Sequence, residues 1–279
     1  MFNEFLRPAS VKEAVMLKNS SPASAYIAGG TEVNSRGWCM RRPGAQVPDR
    51  AIGVAHLPLA AIEETESGVI IGANMVIQDL LDNPATPPLL AEAARHFANR
   101  TIRNMATLGG NIGTNKSCSN LIPSLLALDA RVHLAAESGD TDLPLLEHIA
   151  RPDPCALILK VSVSRARINA KWATRRHSRT ANDISILSVS VTLFGDSSKI
   201  ESPRVAMGGV AATVVRLLEL EKQLDGQSLP SRDEIEAEVK RMVTPIDDLR
   251  GSARFKRHIA GVMVGWALHQ ALDRKGGRS

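Results

Sequence analysis

Cysteine is scarce in this sequence of 279 residues, which contains only Cys39, Cys118 and Cys155, all far apart. Because there is no Cys-x-x-Cys pair, we expect no disulfide framework, and these cysteines alone cannot hold an iron–sulfur cluster or a structural zinc ion. The seven histidines also lack the spacing of a metal site such as His-Glu-x-x-His. The sequence therefore predicts no metal site in this chain.

Aromatic residues are also few, at 3% of the chain with a single tyrosine, which argues against a surface on which nucleic-acid bases stack. The net charge of +5 reflects 34 basic against 29 acidic residues, spread widely. The most basic stretch, residues 171–179, lacks alternating aromatics. We interpret it as a solvated or partner-facing loop and predict no nucleic-acid partner.

Long apolar runs are absent as well. None approaches the roughly 18 residues that a membrane span requires, and the first residues do not have the pattern of a signal peptide. These features predict a cytoplasmic protein without a membrane span.

The rest of the composition, 44% hydrophobic and 23% charged residues, is typical of a folded protein, and the length suits two domains. Strand and helix patterns predict an α+β fold with a boundary near the basic residues 165–179. One helix follows Ser10, with Glu13 three residues later as in a capping box. The predicted strands cover residues 25–28, 51–54, 69–72, 131–134, 157–163, 184–194 and 204–210, and a polar turn is predicted at 63–68. Helices are predicted with interruptions over 75–100 and, buried, at 121–128. The last predicted helix has an apolar face formed by Ile259, Val262, Met263 and Trp266.

Two glycine pairs, Gly29-Gly30 and Gly109-Gly110, follow short apolar stretches, and we interpret both as turns. Glycine allows a positive φ and a close approach of a ligand, and successive main-chain N–H groups in a turn can bind phosphate oxygens. Thr31, Thr107 and Asn111 add polar side chains beside the pairs. Neither pair fits G-x-G-x-x-G or a P-loop, which excludes Rossmann and Walker sites. On spacing alone, each pair is either a plain tight turn or part of a nucleotide site.

Five segments together resemble the FAD-binding subunit of the molybdenum hydroxylases, a family that includes xanthine dehydrogenase, nicotinate dehydrogenase and aerobic carbon monoxide dehydrogenase. These segments are residues 5–8, 26–33, 103–112, 121–130 and 248–257. The resemblance implies an α+β chain with a two-part FAD-binding domain of the vanillyl-alcohol-oxidase (PCMH) type over residues 1–167, divided near residue 55. A smaller α+β domain of the CO dehydrogenase flavoprotein type would follow over 168–279.

The resemblance also implies which residues contact FAD. The first glycine segment would surround the pyrophosphate with main-chain N–H groups, and the second would add contacts from its threonine, glycines and asparagine. An aromatic residue ten positions before that threonine, an aliphatic residue on the strand before the domain boundary and a lysine in the basic segment would lie near the flavin. The implied residues are Tyr26, Ile27, Ala28, Gly29, Gly30, Thr31, Glu32, Val33, Phe97, Thr107, Gly109, Gly110, Asn111, Asn120, Ile158 and Lys171.

Asn120 is the one departure from the family pattern, because many relatives carry aspartate at this position. Asparagine keeps the hydrogen-bonding capacity but lacks the negative charge. We therefore expect the flavin potential to be somewhat higher here than in relatives with aspartate.

The function implied by the resemblance is that of an FAD-carrying, electron-transferring subunit of a molybdenum hydroxylase. One partner subunit would hold molybdopterin and oxidise the substrate, and another would hold [2Fe–2S] clusters and pass electrons to FAD. The external acceptor would be NAD, a quinone or another carrier. No catalytic residue is expected, since the cofactor carries the chemistry. Two alternatives stay open: a flavin-free assembly scaffold of the same fold, and a stand-alone flavin reductase related to UDP-N-acetylenolpyruvoylglucosamine reductase.

Overall fold

A computed structural model describes residues 2–33, 48 and 50–274 of the chain. Cys39 lies outside these residues. Within the described ranges, no helix has both the length and the hydropathy needed to cross a membrane.

The first part of the chain is a small parallel sheet with one helix. Strands β1 (Glu4–Leu6), β2 (Ala25–Ile27) and β3 (Arg50–Gly53) pair in the order β1-β3-β2, and helix α1 (Val11–Ser20) packs on them. The hydroxyl of Ser10 accepts the N–H of Glu13 at 3.2 Å, which confirms the predicted N-cap. The Glu13 carboxylate accepts the N–H of Ala9 rather than that of Ser10.

The second part is a five-stranded antiparallel sheet covered by short helices, and it contains a large apolar core. The strand order is β4-β5-β8-β6-β7. The strands are β4 (Ile62–Thr65), β5 (Gly68–Gly72), β6 (Arg131–Ala136), β7 (Gly139–Pro144) and β8 (Leu157–Ser164). The helices are α2 (Ile77–Asp82), α3 (Pro88–Arg95), α4 (Arg100–Arg103), α5 (Leu108–Thr114), α6 (Leu121–Ala127) and α7 (Leu145–Ala150).

The third part, reached through the short helix α8 (Arg165–Ile168), is a four-stranded antiparallel sheet in the order β12-β11-β10-β9 with its own core. Its strands are β9 (Lys171–His177), β10 (Leu187–Gly195), β11 (Ile200–Gly208) and β12 (Val215–Arg216). Its helices are α9 (Leu218–Leu224), α10 (Arg232–Met242) and α11 (Ala253–Asp273). Helix α11 packs on β9 and β10, and α6 contacts β10, β11 and β12.

Strand β10 lies at the contact between the second and third parts of the chain. Its alternating residues are apolar on one side and carry hydroxyls on the other, and both sets are buried. Ser188 donates to the carbonyl of Ser119 at 2.9 Å, and Thr192 donates to that of Ala127 at 2.6 Å, so hydroxyls satisfy carbonyls at the two ends of α6. Three arginines, Arg167, Arg204 and Arg216, form ion pairs with Asp129 just after α6.

The structure differs from the sequence predictions for a turn, a loop and the face of the last helix. The predicted turn at 63–68 contains most of β4, since only its last residues form the reversal between β4 and β5. The basic residues 171–177, expected in a loop, form β9 because each pairs with a residue of β10. Trp266 does not face the core: it is 44% exposed, with Arg175 and Arg232 over its ring.

Candidate cofactor site

The first glycine pair follows directly from β2, at the carboxyl end of the parallel sheet. Gly30 has a φ of +65°, a conformation that glycine adopts without strain. Gly29 lies against the main chain of a distant segment: a Cβ placed there would be 1.7 Å from the carbonyl oxygen of Met105. This position therefore accepts only glycine.

The second glycine pair is not a turn, which corrects the sequence interpretation. Gly109 and Gly110 lie in the first turn of α5, whose N-cap is Thr107. The Thr107 hydroxyl accepts the N–H of Gly110 at 3.0 Å, and the N–H of Gly109 donates to the carbonyl of Ala73 at 2.8 Å. The cap and this tertiary bond outweigh the low helix propensity of glycine.

The two glycine pairs therefore differ in the main-chain N–H groups that they leave for an anion. At the start of α5, the N–H groups of residues 108–111 all donate to protein oxygens. In contrast, within the described part of the chain, the N–H groups of Gly29, Gly30 and Thr31 form no hydrogen bond to another protein group. The first segment can therefore bind phosphate oxygens through its main chain, as the sequence suggested, whereas the second has its main-chain donors already satisfied.

The structure brings the two glycine segments together. Gly29 packs on the residues immediately before Thr107, and Glu32 forms an ion pair with Lys116, just beyond α5. Asn111 belongs to the second segment, and its side-chain oxygen accepts the Ser119 hydroxyl at 2.8 Å. One ligand can thus contact both segments.

A pocket of about 230 Å³ lies beside the first segment, where the strands of the parallel sheet end. Ligands commonly bind at the carboxyl ends of parallel strands. Arg7 contributes a charged side chain to the lining of this pocket. His56 also lines it, with its Nε2 2.7 Å from the carbonyl oxygen of Pro8. The lining residues are Phe5, Arg7, Ile27, Ala28, Gly53, Ala55 and His56.

The remaining residues of the first segment have mostly structural contacts. The Tyr26 hydroxyl donates to the carbonyl of Cys155 at 3.0 Å, and burial raises the pKa of this phenol, so it stays protonated. The Ile27 carbonyl accepts the N–H of Val54 at 2.8 Å. Val33 is half-buried at the end of the segment.

Phe97 is partly buried against the core of the five-stranded sheet, in a tightly held segment. Arg103 donates to the carbonyls of Phe97 and Ala98 at 3.1 and 3.2 Å, and Arg176 of β9 donates to the carbonyl of His96 at 2.5 Å. Ala98 has a φ of +41°, which is unusual for alanine. The two arginines thus hold the main chain from the residue before Phe97 to the residue after it.

Asn120 joins this segment to the C-terminal sheet. Its Nδ2 donates to the carbonyl of His96 at 3.0 Å, and its Oδ1 accepts the Ser185 hydroxyl at 2.5 Å. Both ends of the amide thus have protein partners. An aspartate in this position could not donate to the His96 carbonyl, so the identity of this residue has a structural reason in addition to its charge.

Ile158 and Lys171 lie in different surroundings. Ile158 of β8 is close to α5, since its Cδ1 would be 3.9 Å from a Cβ on Gly113. Lys171 begins β9 opposite Leu193, whereas Arg176 at the other end of β9 contacts the Phe97 segment. Arg176 lies five positions further along the strand, or about 16 Å. The structure does not bring Lys171 to Phe97; the cation of β9 at that place is Arg176.

Sequence reasoning missed Arg103, Arg176 and Ser185 as parts of this site. Arg176 lies within the basic run 171–179, so a signal existed, but nothing in the run distinguishes it from Lys171. Ser185 becomes relevant only because the domains meet at Asn120.

Comparison with known proteins gives matches over most of the chain. The family described as "FAD binding domain in molybdopterin dehydrogenase" matches residues 1–164, and that of the CO dehydrogenase flavoprotein C-terminal domain matches residues 172–271. The uncharacterized protein YgfM of Escherichia coli is 32% identical over 266 residues, which cover 95% of this chain and 94% of that protein.

Two further matches concern carbon monoxide dehydrogenase of Hydrogenophaga pseudoflava. Its medium chain is 28% identical to this chain over 284 residues, covering 97% of each. A solved structure of the enzyme, lacking the Mo-pyranopterin moiety of the molybdenum cofactor, contains a chain that matches with a TM-score of 0.90 at 27% identity and 99% coverage of both chains.

The contact between the glycine segments yields a direct test. Gly29→Ala forces a methyl group into the Met105 carbonyl, so we expect it to lower the free energy of unfolding by at least about 2 kcal/mol and to abolish retention of the ligand. Gly113→Ala, in ordinary contact with Ile158 and within the same helix as Gly109, is the matched control and should be tolerated. Thermal denaturation and ligand content of both variants provide the measurement; equal behaviour of the two would contradict the account.

Proposed function

The chain belongs to the family of FAD-binding medium subunits of molybdenum hydroxylases, and from this premise we propose that it transfers electrons between a partner's iron–sulfur clusters and an external acceptor. As a member of this family it is an oxidoreductase subunit with an FAD-binding domain. The observation that supports the proposal most is the junction of the two glycine segments, beside a pocket, where main-chain donors have no protein partner among the described residues.

The residues fit an extended, doubly anionic cofactor. The N–H groups of Gly29, Gly30 and Thr31 suit the pyrophosphate, and the second segment adds the Asn111 amide, whose oxygen accepts the Ser119 hydroxyl. Phe97, held through the carbonyls around it, suits the flavin ring. We extend the proposal to the rest of the implied set, including Lys171. Gly109 and Gly110 would act by close packing, and Arg176 is added at the Phe97 end.

FAD supplies a carrier that accepts electrons one at a time and releases them in pairs. In the proposed complex, molybdopterin and the [2Fe–2S] clusters belong to partner subunits, since the cysteines of this chain are isolated. The acceptor is NAD, a quinone or another carrier. We further propose a cytoplasmic location, which rests on the sequence alone.

We place the domain boundary at residues 167 and 168, with subdomains of about 1–55 and 56–167 before it. Two observations support this position. Helix α8 ends at Ile168, after the last strand of the five-stranded sheet and before the first strand of the C-terminal sheet. The two family matches end at residue 164 and begin at residue 172.

Electron transfer can be tested on the complex isolated through a tag on this chain. The iron–sulfur centres are reduced anaerobically with limiting dithionite, and their re-oxidation is followed after NAD or a quinone is added. A flavin-depleted complex should re-oxidise at least about tenfold more slowly, and reloading with FAD should restore the rate. Re-oxidation that is equally fast without flavin would reject the electron-transfer role, and the faster of the two acceptors identifies the acceptor class.

Asn120 provides a second prediction, on the flavin potential. Asn120→Asp places a negative charge near the flavin and should lower its midpoint potential, because added charge on the ring is then disfavoured. It also removes one of the two donors to the His96 carbonyl, to which Arg176 still donates, and this should destabilise the fold by about 0.5 to 1.5 kcal/mol. Asn120→Ala also removes the hydrogen bond to His96, together with that from Ser185, without adding charge and serves as the control. Potentiometry that gives no shift, an upward shift, or the same shift for both variants would reject the charge effect.

A further inference from the structure

The turn formed by residues 246–251, between α10 and α11, presents large apolar side chains to solvent. Leu249 at its tip is 100% exposed and Ile246 is 73% exposed. The turn overlaps the segment 248–257 that resembles the family, yet among the described residues no hydrogen bond or ion pair joins it to the glycine segments or Phe97. The cofactor site therefore does not account for its exposed apolar side chains.

The turn is held rigidly by a buried cation. Lys256, only 2% exposed, donates from Nζ to the carbonyl of Ile246 at 3.0 Å and to the carboxylate of Asp248 at 2.8 Å. Asp248 and Gly251 exchange main-chain hydrogen bonds of 3.2 Å. Partial burial disfavours the charged form of Asp248, but Lys256 and a main-chain N–H hold the pKa of its carboxyl below the ordinary value.

This rigidity has a physical consequence for Leu249. Ordering a turn around an exposed leucine gains no burial in the isolated chain. A side chain already fixed in position loses less conformational entropy when a partner covers it. A rigid turn with an exposed apolar tip is therefore suited to bind another surface.

The turn adjoins the Phe97 end of the cofactor site. The ring of Phe255, which follows the turn, lies 5.6 Å from the ring of His177, and the preceding residue, Arg176, donates to the carbonyl before Phe97. Arg250 of the turn lies close enough to Asp183 to lower the pKa of its carboxyl, although hydrogen bonds from Arg179 and Ile184 contribute more.

The surroundings of the turn are basic. Residues 246–258 contain four lysines and arginines against two aspartates. Lys256 is buried against Asp248 and Arg250 lies 3.7 Å from the same carboxylate, so Arg254 and Arg257 supply most of the exposed positive charge. Arg254 stands at the second position of α11, two residues after the N-cap Ser252, where a cation is unfavourable for the helix dipole. The sequence thus keeps a positive charge at a place where local helix stability favours an acidic residue.

We propose that the turn of residues 246–251, with Leu249 at the centre and Arg250 and Arg254 at the rim, is the docking surface for the iron–sulfur subunit. This inference rests on the proposed function. A [2Fe–2S] cluster ligated by four thiolates carries net negative charge, which the basic rim complements. An electron donor must also approach the flavin end of the site, which the turn adjoins.

The test uses the full complex purified through a tag on this chain, with iron and FAD measured in each preparation. Leu249→Asp should lower the iron content at least about tenfold while FAD stays at the wild-type level. Leu218→Asp is the matched control: Leu218 is 53% exposed and begins α9 near the opposite edge of the same sheet. Arg254→Glu, which favours the helix, should also lower the iron content.

The outcomes separate the docking proposal from the proposed function. Wild-type iron content in Leu249→Asp would overturn the docking surface and leave the function intact. If the assembly instead loses one copy of this chain and keeps its iron, the docking proposal is wrong and the turn forms a contact between two copies of this chain. A wild-type complex with FAD but without iron would reject the partner and the docking surface together.

Discussion

The close contact between Gly29 and the Met105 carbonyl is the constraint on which the site depends. It allows the loop after β2 to lie directly on the chain entering α5, which no other residue type at this position would permit. The Glu32–Lys116 ion pair then closes the junction on its other side. Two segments that are about eighty residues apart in the sequence thus form one surface. Among the described residues, main-chain donors of the first segment have no protein partner and can bind an anion.

The C-terminal sheet positions part of the site through hydrogen bonds and ion pairs with the FAD-binding domain. Its hydroxyls on Ser188 and Thr192 satisfy carbonyls at both ends of α6, and three arginines share the carboxylate of Asp129. A joint that pairs buried polar groups one by one fixes the relative position of two domains more strictly than apolar contact does. The same joint reaches the site through Arg176 and Asn120, which bind the carbonyl before Phe97.

The sequence predicted best what depends on local chemistry. The Ser10 cap, most strands and the positive φ at Gly30 follow from propensity, periodicity and the special properties of glycine. It failed where distant residues decide the structure. The start of α5 depends on acceptors at Ala73 and Met75, and β9 becomes a strand only through pairing with β10. For the same reason Ser185 gave no signal, since its partner Asn120 lies in another domain.

The central claim, that the two glycine segments form an FAD site, is tested most directly by the flavin content of the purified full chain. Cofactor released with acid is identified and quantified by chromatography, before and after incubation with excess FAD. We expect about one FAD per chain, since the described residues form one such junction. A correctly folded chain that contains no FAD and takes up none would contradict the account and favour the scaffold alternative.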